Sequence, residues 1–130
     1  MSSPNDRAAR GGPTSRAEMK RAYKEKPPPM GVYIIRNRTN GKVLVGSGLN
    51  LPGMLNRVRF ELELGSCPNR ELQEDWRRHG ADSFSFEQLD ILEPPEEPGV
   101  DLKEELRVLE ALWLDRLRPY GEAGYNIPKE

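Results

Sequence analysis

The sequence has few of the features that mark exported or membrane-bound proteins. Cysteine occurs once, at Cys67, so no disulfide can form within the chain and nothing argues for export. No stretch approaches the roughly 18 consecutive apolar residues of a membrane span. The N-terminus also lacks the apolar segment of a signal peptide. We therefore expect a cytoplasmic protein with no membrane partner.

Neither sign of charge is in large excess, because the net charge is only −1 over 130 residues. The charges are nevertheless unevenly placed. Residues 1–66 hold 12 Lys or Arg against 5 Asp or Glu, a net +7, whereas residues 67–130 hold 8 against 16, a net −8. A basic first half favours a phosphate-bearing partner, through Coulomb attraction and counterion release. The same asymmetry also fits an ordinary solvated surface, so both interpretations stay open.

Composition divides the chain near residue 30. Residues 1–29 are predicted to form a basic N-terminal arm. Residues 1–16 are rich in Gly, Pro and Ser and are expected to be disordered, and residues 17–26 have the pattern of a short basic helix. The triple proline at 27–29 ends that helix. Residues 30–127 are predicted to be one folded domain, long enough for a single modest core.

Within that domain the patterns predict the order strand, strand, helix, helix, strand, helix. An Asn-Gly pair at 40–41, between two runs rich in β-forming residues, is typical of a hairpin. Helices are predicted over about 50–64, 69–80 and 101–117, and a third strand over 84–91 with a bulge near Gln88. We expect an α+β fold with a small three-stranded antiparallel sheet flanked by helices.

Four polar residues are candidates for a functional site, although each has an ordinary explanation. Glu110 lies at the edge of the last helix's apolar stripe, where a partly dehydrated carboxylate needs a cation, a hydrogen bond or a proton. A glutamate at such a rim can also simply reach water. Tyr33 can be a packing residue of its strand, Arg57 a solvated arginine, and Asn126 a turn residue.

The order of these residues resembles that of the GIY-YIG nuclease family. Asn50-Leu51-Pro52-Gly53 with Asn56-Arg57 and Phe60 also looks like a bacterial stand-alone branch of it. The likeness spans residues 30–127, and its main segments are Gly31-Val32-Tyr33, Val43-Leu44-Val45-Gly46-Ser47, Asn69 with Leu72-Gln73 and Trp76, His79-Gly80 with Phe84 and Phe86-Glu87, Glu110-Ala111-Leu112-Trp113-Leu114, and Gly124-Tyr125-Asn126-Ile127.

This resemblance implies a divalent-metal-dependent endonuclease that hydrolyses DNA phosphodiester bonds. It implies that Glu110 is the sole protein ligand of one Mg²⁺ or Mn²⁺ ion. It also implies that Tyr33 takes a proton from the attacking water and that Arg57 offsets charge on the phosphoryl oxygens, while Asn126 supports the site by hydrogen bonding. The residues predicted to bind the nucleic acid are Arg36, Arg38, Lys42, Arg57 and Arg59.

Three positions depart from the pattern of the family. Its second tyrosine falls at Leu44, which has no hydroxyl, and its helix arginine falls at Met54 when it is counted without a gap. A position usually held by histidine or tyrosine falls at Cys67, whose thiol would take part in acid–base chemistry only with a perturbed pKa. The single histidine, His79, is expected to end the second helix rather than join the site.

These departures leave two further hypotheses open. A catalytically degenerate nucleic-acid-binding module would use the basic first half and keep Glu110 as a relic. A protein-interaction adaptor would instead use the acidic second half, together with the Pro-rich loop at 93–98.

Overall fold

A computed structural model of the chain describes residues 27–128. The disorder predicted for residues 1–16 and the short helix predicted for 17–26 lie outside this range. Six main elements follow one another: β1 (Gly31–Asn37), β2 (Val43–Gly48), α1 (Leu51–Leu64), α2 (Arg70–His79), β3 (Phe84–Ile91) and α3 (Leu102–Leu117). Short 3₁₀ turns occupy Ala81–Ser83 and Gly121–Ala123. This is the predicted order, and the predicted fold class is confirmed.

The sheet is antiparallel throughout, and β1 is its central strand, in the order β2-β1-β3. Residues 32–35 are buried on both faces of the sheet, which explains why β1 is a continuous apolar run rather than an alternating one. Opposite β1, Val32 pairs with Asp90 and Tyr33 pairs with Gln88, so Leu89 is an extra residue. The bulge predicted near Gln88 is therefore present, one position further on.

The two faces of the sheet are covered by different helices, which gives three layers. α1 and α2 cover one face, where Tyr33 and Ile35 pack with Leu51, Leu62, Leu72, Trp76 and Phe84. α3 covers the other face, where Val32, Ile34, Val43 and Val45 pack against Leu89, Leu109, Trp113 and Leu114. Burial of these apolar side chains is the main favourable term for such a small fold.

Side chains fix where each helix begins. Asn50 accepts a hydrogen bond from the Gly53 amide at 3.0 Å, and Pro52 lies in the first turn of α1, where its missing N–H costs nothing. Asn69 caps α2 in the same way through the Leu72 amide. The helical register of α1 is thus set from its first turn, which decides which of its side chains face the sheet.

The C-terminal segment closes the outer edge of β2. The Tyr125 amide donates to the Val43 carbonyl at 2.9 Å, and the Asn126 side chain pairs with both backbone groups of Val45. An edge strand covered in this way is protected from pairing with other chains. The same contacts bring Asn126 to the end of β2 that leads into α1.

Within residues 27–128, none of the helices has the length and apolar character needed to cross a membrane.

Candidate active site

A groove of about 1090 Å³ lies at the end of β2, between α1, α3 and the C-terminal segment. Ser47 and Gly48 of β2, Met54 of α1, Glu110 of α3 and Asn126 are among the residues that line it. Two of the four residues predicted for a site, Glu110 and Asn126, therefore share one open space.

Glu110 stands in the middle of α3 and is half-buried, which agrees with its predicted place at the edge of the apolar stripe. The Ser47 hydroxyl donates a hydrogen bond to Oε1 of Glu110. Within residues 27–128, Oε2 receives no hydrogen bond and no ion pair. One oxygen of the carboxylate is thus oriented by the sheet, and the other is available to a ligand in the groove. Ser47 was not among the predicted site residues.

Tyr33 lies at the same end of β2, but on the opposite face of the sheet, and it is not among the residues that line the groove. Its ring lies over Gly46, and a side chain at position 46 would collide with the phenol, so glycine is needed there. Burial raises the pKa of Tyr33, and the negative charge of nearby Glu110 raises this pKa further. The phenol is therefore protonated at neutral pH, and within residues 27–128 its hydroxyl has no hydrogen-bond partner.

Asn126 is held firmly beside these groups. Its Oδ1 accepts from the Val45 amide at 2.9 Å, and its Nδ2 donates to the Val45 carbonyl at 2.8 Å. Both polar groups of the amide are used in these bonds. Asn126 therefore fixes the path of β2 just before Gly46 and Ser47, and it forms part of the groove wall.

Arg57 does not line the groove. Its side chain is 74% exposed, and its Nε lies 3.4 Å from Glu61 Oε2, one turn along α1. Met54 takes the groove position instead and packs over Gly48. Arg57 follows Met54 by three residues, so its side chain leaves α1 on a neighbouring flank.

The other predicted nucleic-acid-binding residues lie away from the groove. Arg36 is exposed on β1, Arg38 donates to the Asp82 carbonyl, and Lys42 pairs with Glu71. Both Arg38 and Lys42 belong to the hairpin turn at the far end of β2. Four residue steps separate Val43 from Ser47, or about 13 Å along the strand. Arg59 lies on α1, where it pairs with Glu63 and stacks 5.4 Å from the Phe86 ring centre.

The three positions that depart from the family's pattern serve mainly as packing residues. Leu44 and Met54 pack against the core under α1 and α2, and so does half-buried Cys67. Burial raises the pKa of the Cys67 thiol, which therefore stays protonated at neutral pH. His79 ends α2 as predicted and is not among the groove-lining residues.

The groove also contains cations that the sequence analysis did not predict. Lys103, Arg107 and Arg118 all line it, and all come from α3 or its C-terminal cap. Residues 103, 107, 110, 114 and 118 follow one another by three or four positions, so they lie on one face of the helix. The apolar stripe of α3 predicts the place of Glu110 but says nothing about the cations on the adjacent face.

The donor set of the groove fits one hard divalent cation. Within residues 27–128 no group of three or more His, Cys, Asp or Glu side chains is arranged to enclose a metal. Glu110 instead offers a single carboxylate with one unpaired oxygen, beside a hydroxyl and an open space. Mg²⁺ keeps several of its waters and often uses one carboxylate together with substrate phosphate, so this set suits it.

Comparison with known proteins identifies two similar solved structures. One is the structure of the catalytic domain of homing endonuclease I-TevI, 31% identical, with a TM-score of 0.62. The match covers 77% of this chain and 99% of that one. The other is the catalytic domain of intron endonuclease I-TevI with one glutamate replaced by alanine, 29% identical, with a TM-score of 0.63. It covers 77% of this chain and 94% of that one. No family model and no curated protein matches the chain.

Proposed function

We propose that this chain, which belongs to the GIY-YIG nuclease family, is an endonuclease that hydrolyses DNA phosphodiester bonds with the help of a divalent cation. Residues 30–127 are its proposed catalytic domain. One observation carries the proposal: Glu110, with one unpaired oxygen, shares an open groove with Asn126 at the end of β2. The Tyr33 phenol lies over Gly46, next to groove residue Ser47. The chain bearing this arrangement is 31% identical to an endonuclease catalytic domain.

Glu110 is the residue proposed to hold Mg²⁺ or Mn²⁺, through its unpaired Oε2. The bond from Ser47 to Oε1 restrains the carboxylate and leaves the second oxygen for the cation. When bound, the cation supplies Lewis-acid polarisation of the scissile phosphate and stabilises the departing 3′ oxygen.

Tyr33 is the residue proposed to take the proton from the attacking water. In the free protein its phenol is protonated, because burial and the charge of Glu110 both raise its pKa. Once the charge of Glu110 is compensated, one cause of the raised pKa is gone, and the phenol oxygen becomes a better proton acceptor. The position of Tyr33 over Gly46 keeps this oxygen near the groove.

Arg57 and Asn126 have supporting roles in this proposal. Asn126 holds the backbone of β2 beside the reacting groups. Arg57 would offset charge on the phosphoryl oxygens, and for this its long side chain has to leave Glu61. An exposed pair of this kind is weak enough to exchange for a phosphate.

The test is a cleavage assay with the full chain, supercoiled plasmid and single-stranded DNA in Mg²⁺ or Mn²⁺. The control variants are Glu110→Gln, which keeps the shape of the site, and Glu87→Gln, which removes an exposed charge on β3. We expect cleavage by the wild type and by Glu87→Gln but not by Glu110→Gln. Equal rates for all three proteins would mean that the cleavage does not arise at this site.

One observation favours a second candidate, a nucleic-acid-binding module without hydrolysis. Met54 stands in the groove where the resemblance expects an arginine, and Leu44 packs in the core where it expects a tyrosine. This candidate predicts salt-dependent DNA binding that Glu110→Gln does not weaken, with no turnover in either divalent cation.

A further inference from the structure

The cations of the groove form a row along α3. Lys103 and Arg107 lie one turn apart, and Arg118 caps the helix at its C-terminal end. At a rise of about 1.5 Å per residue, the row spans roughly 22 Å, with Glu110 about 10 Å from Lys103 and about 12 Å from Arg118. Because one DNA strand rises about 3.4 Å per nucleotide, that length corresponds to about six nucleotide steps. Cations thus flank Glu110 on both sides.

The charge balance of the groove favours an anion. Three cations line it, against the two carboxylates of Glu110 and Asp115. A divalent cation on Glu110 would remove most of the opposing charge and leave the row of cations dominant. A phosphate backbone would then find compensation along the whole groove, because such attraction acts on every phosphate close to it.

The ion pairs of the row all lie in water. Arg107 makes a bidentate pair with Glu104, through Nε to Oε2 at 2.7 Å and Nη2 to Oε1 at 2.6 Å, and the two side chains are 67% and 51% exposed. Arg118 lies 3.8 Å from Asp115, with exposures of 72% and 86%. Because these pairs are open to water, phosphate oxygens can compete for both guanidinium groups, more easily at Arg118 than at the bidentate Arg107. Within residues 27–128, Lys103 has no ion pair.

The cations predicted from the sequence are less well placed. Those of the hairpin turn, Arg38 and Lys42, are engaged with Asp82 and Glu71 at the far end of β2. On α1, Met54 occupies the groove and Arg57 turns to Glu61. In the free protein, the guanidinium groups that share the groove with Glu110 therefore come from α3 and its C-terminal cap.

From these observations we infer that the phosphate backbone of the DNA substrate runs along the groove face of α3, where Lys103, Arg107 and Arg118 bind it on both sides of Glu110. This inference rests on the proposed function and adds the path of the substrate. Arg107 lies one turn before Glu110 and is the cation of the row closest to the reacting phosphate. The acidic second half of the chain, not the basic first half, then supplies the main contacts to the nucleic acid.

The test measures binding separately from cleavage. A fluorescent 20-base-pair duplex is titrated with the full chain carrying Glu110→Gln, at several salt concentrations without divalent cation, and binding is followed by anisotropy. Each lost phosphate contact lowers the salt slope by about 0.9. We expect the triple variant Lys103→Gln, Arg107→Gln, Arg118→Gln to lower the slope by about 2 to 3.

A matched triple on α2 removes the same charge elsewhere, by Arg70→Gln, Arg77→Gln and Arg78→Gln, and it should lower the slope by less than about 1. Circular dichroism checks the fold of every variant. If the groove triple is unfolded, the single variants Lys103→Gln and Arg107→Gln, both at exposed helix positions, should each lower the slope by about 0.9.

The inference would be wrong if the two triple variants had equal salt slopes. It would also be wrong if the double variant Arg36→Gln, Arg38→Gln lowered the salt slope more than the groove triple does, or if the Glu110→Gln chain did not bind DNA. The cleavage assay separates this outcome from failure of the proposed function. If the wild type cleaves DNA but the groove triple leaves the salt slope of binding unchanged, the inference alone is contradicted. A lowered slope without any cleavage by the wild type would contradict the hydrolase proposal alone.

Discussion

A tyrosine and a carboxylate lie near each other at both ends of β2, and the two pairs differ in how their polar atoms are satisfied. At the Val43 end, the Tyr125 hydroxyl donates to Asp75 Oδ2 at 2.7 Å and accepts from Asn37 at 3.0 Å. Asn40 adds a second bond to the same carboxylate oxygen. This pair is buried and closed, and it ties the hairpin, α2 and the C-terminal segment together.

At the Ser47 end, the second pair is open. Tyr33 and Glu110 come from opposite faces of the sheet, and within residues 27–128 the phenol hydroxyl and one carboxylate oxygen have no partner. Neither atom is fully buried, so both are open to water or to a ligand, whereas the fully paired cluster at the other end is a structural brace. A tyrosine next to an acid is therefore not enough to identify a site.

The difference between the two pairs also appears in the pKa values. Burial raises the pKa of Tyr125 to about 12, and its bond to Asp75 contributes to the rise. Burial alone would raise the pKa of Asp75, but the hydrogen bonds from Tyr125 and Asn40 hold it below its usual value. At neutral pH, Tyr125 is therefore protonated and Asp75 is ionised. The Tyr33 phenol has no such bond, so its protonation can respond to a ligand in the groove.

The largest effect should come from exchanging each acid for its amide. Glu110→Gln should lower the cleavage rate by about 10³-fold or more, because it removes the proposed metal ligand, and should leave stability nearly unchanged. Asp75→Asn should leave cleavage per folded molecule unchanged and lower the free energy of unfolding by about 1–3 kcal/mol, because a neutral amide oxygen accepts more weakly from Tyr125 and Asn40 than the carboxylate does. Plasmid nicking and urea unfolding measure the two effects. If Asp75→Asn abolished cleavage and Glu110→Gln did not, the active site would lie at the Val43 end of β2 instead of the Ser47 end.

A smaller effect should appear in the pH dependence of stability. The pKa of Tyr125 is higher in the folded protein than the ordinary value near 10, so the associated stability is complete below pH 10 and is lost as the pH rises towards 12. Between these limits the wild type should lose up to about 2–3 kcal/mol more than Tyr125→Phe, measured by urea unfolding. If the free energy of unfolding fell equally with pH in both proteins above pH 10, the pKa of Tyr125 would not be raised in the folded state.

The smallest effect should come from Ser47. Ser47→Ala removes the hydroxyl that orients Glu110 but leaves the carboxylate, so the concentration of Mg²⁺ or Mn²⁺ needed for half-maximal cleavage should rise about 10-fold. The maximal rate should change less than in Glu110→Gln. A matched change on β3, Ser85→Ala, controls for the loss of a hydroxyl from the sheet. An unchanged cation requirement in Ser47→Ala would mean that the bond to Glu110 has no role in metal binding.

The fold could be predicted because its determinants are local. The hairpin turn at 38–41 contains Asn40-Gly41, with Gly41 in the left-handed region. Asn50 and Asn69 cap their helices, and the apolar run of β1 marks a strand buried on both faces. Each of these features is decided within a few residues of sequence. The element order and the antiparallel sheet follow from them.

The site was less predictable, because its geometry depends on contacts between distant parts of the chain. Asp75 and Tyr125 are 50 positions apart, and no local sequence pattern predicts their hydrogen bond. Counting along α1 without a gap gives Met54, and Arg57 was a candidate as the arginine three residues further on. The sequence does not show that the side chain of Arg57 turns to Glu61. Charge counting pointed to the basic first half, whereas the cations of the groove belong to a helix in the acidic half.

The most direct test compares Tyr33→Phe with Tyr125→Phe, two variants that each lose one phenolic oxygen at opposite ends of one strand. We expect Tyr33→Phe to lower cleavage by about 10²-fold or more with almost no loss of stability. Tyr125→Phe should keep the cleavage rate per folded molecule and lower the free energy of unfolding by about 1–3 kcal/mol. Full cleavage by Tyr33→Phe, or loss of cleavage in a stably folded Tyr125→Phe, would contradict the view that the open end of β2 is the active site.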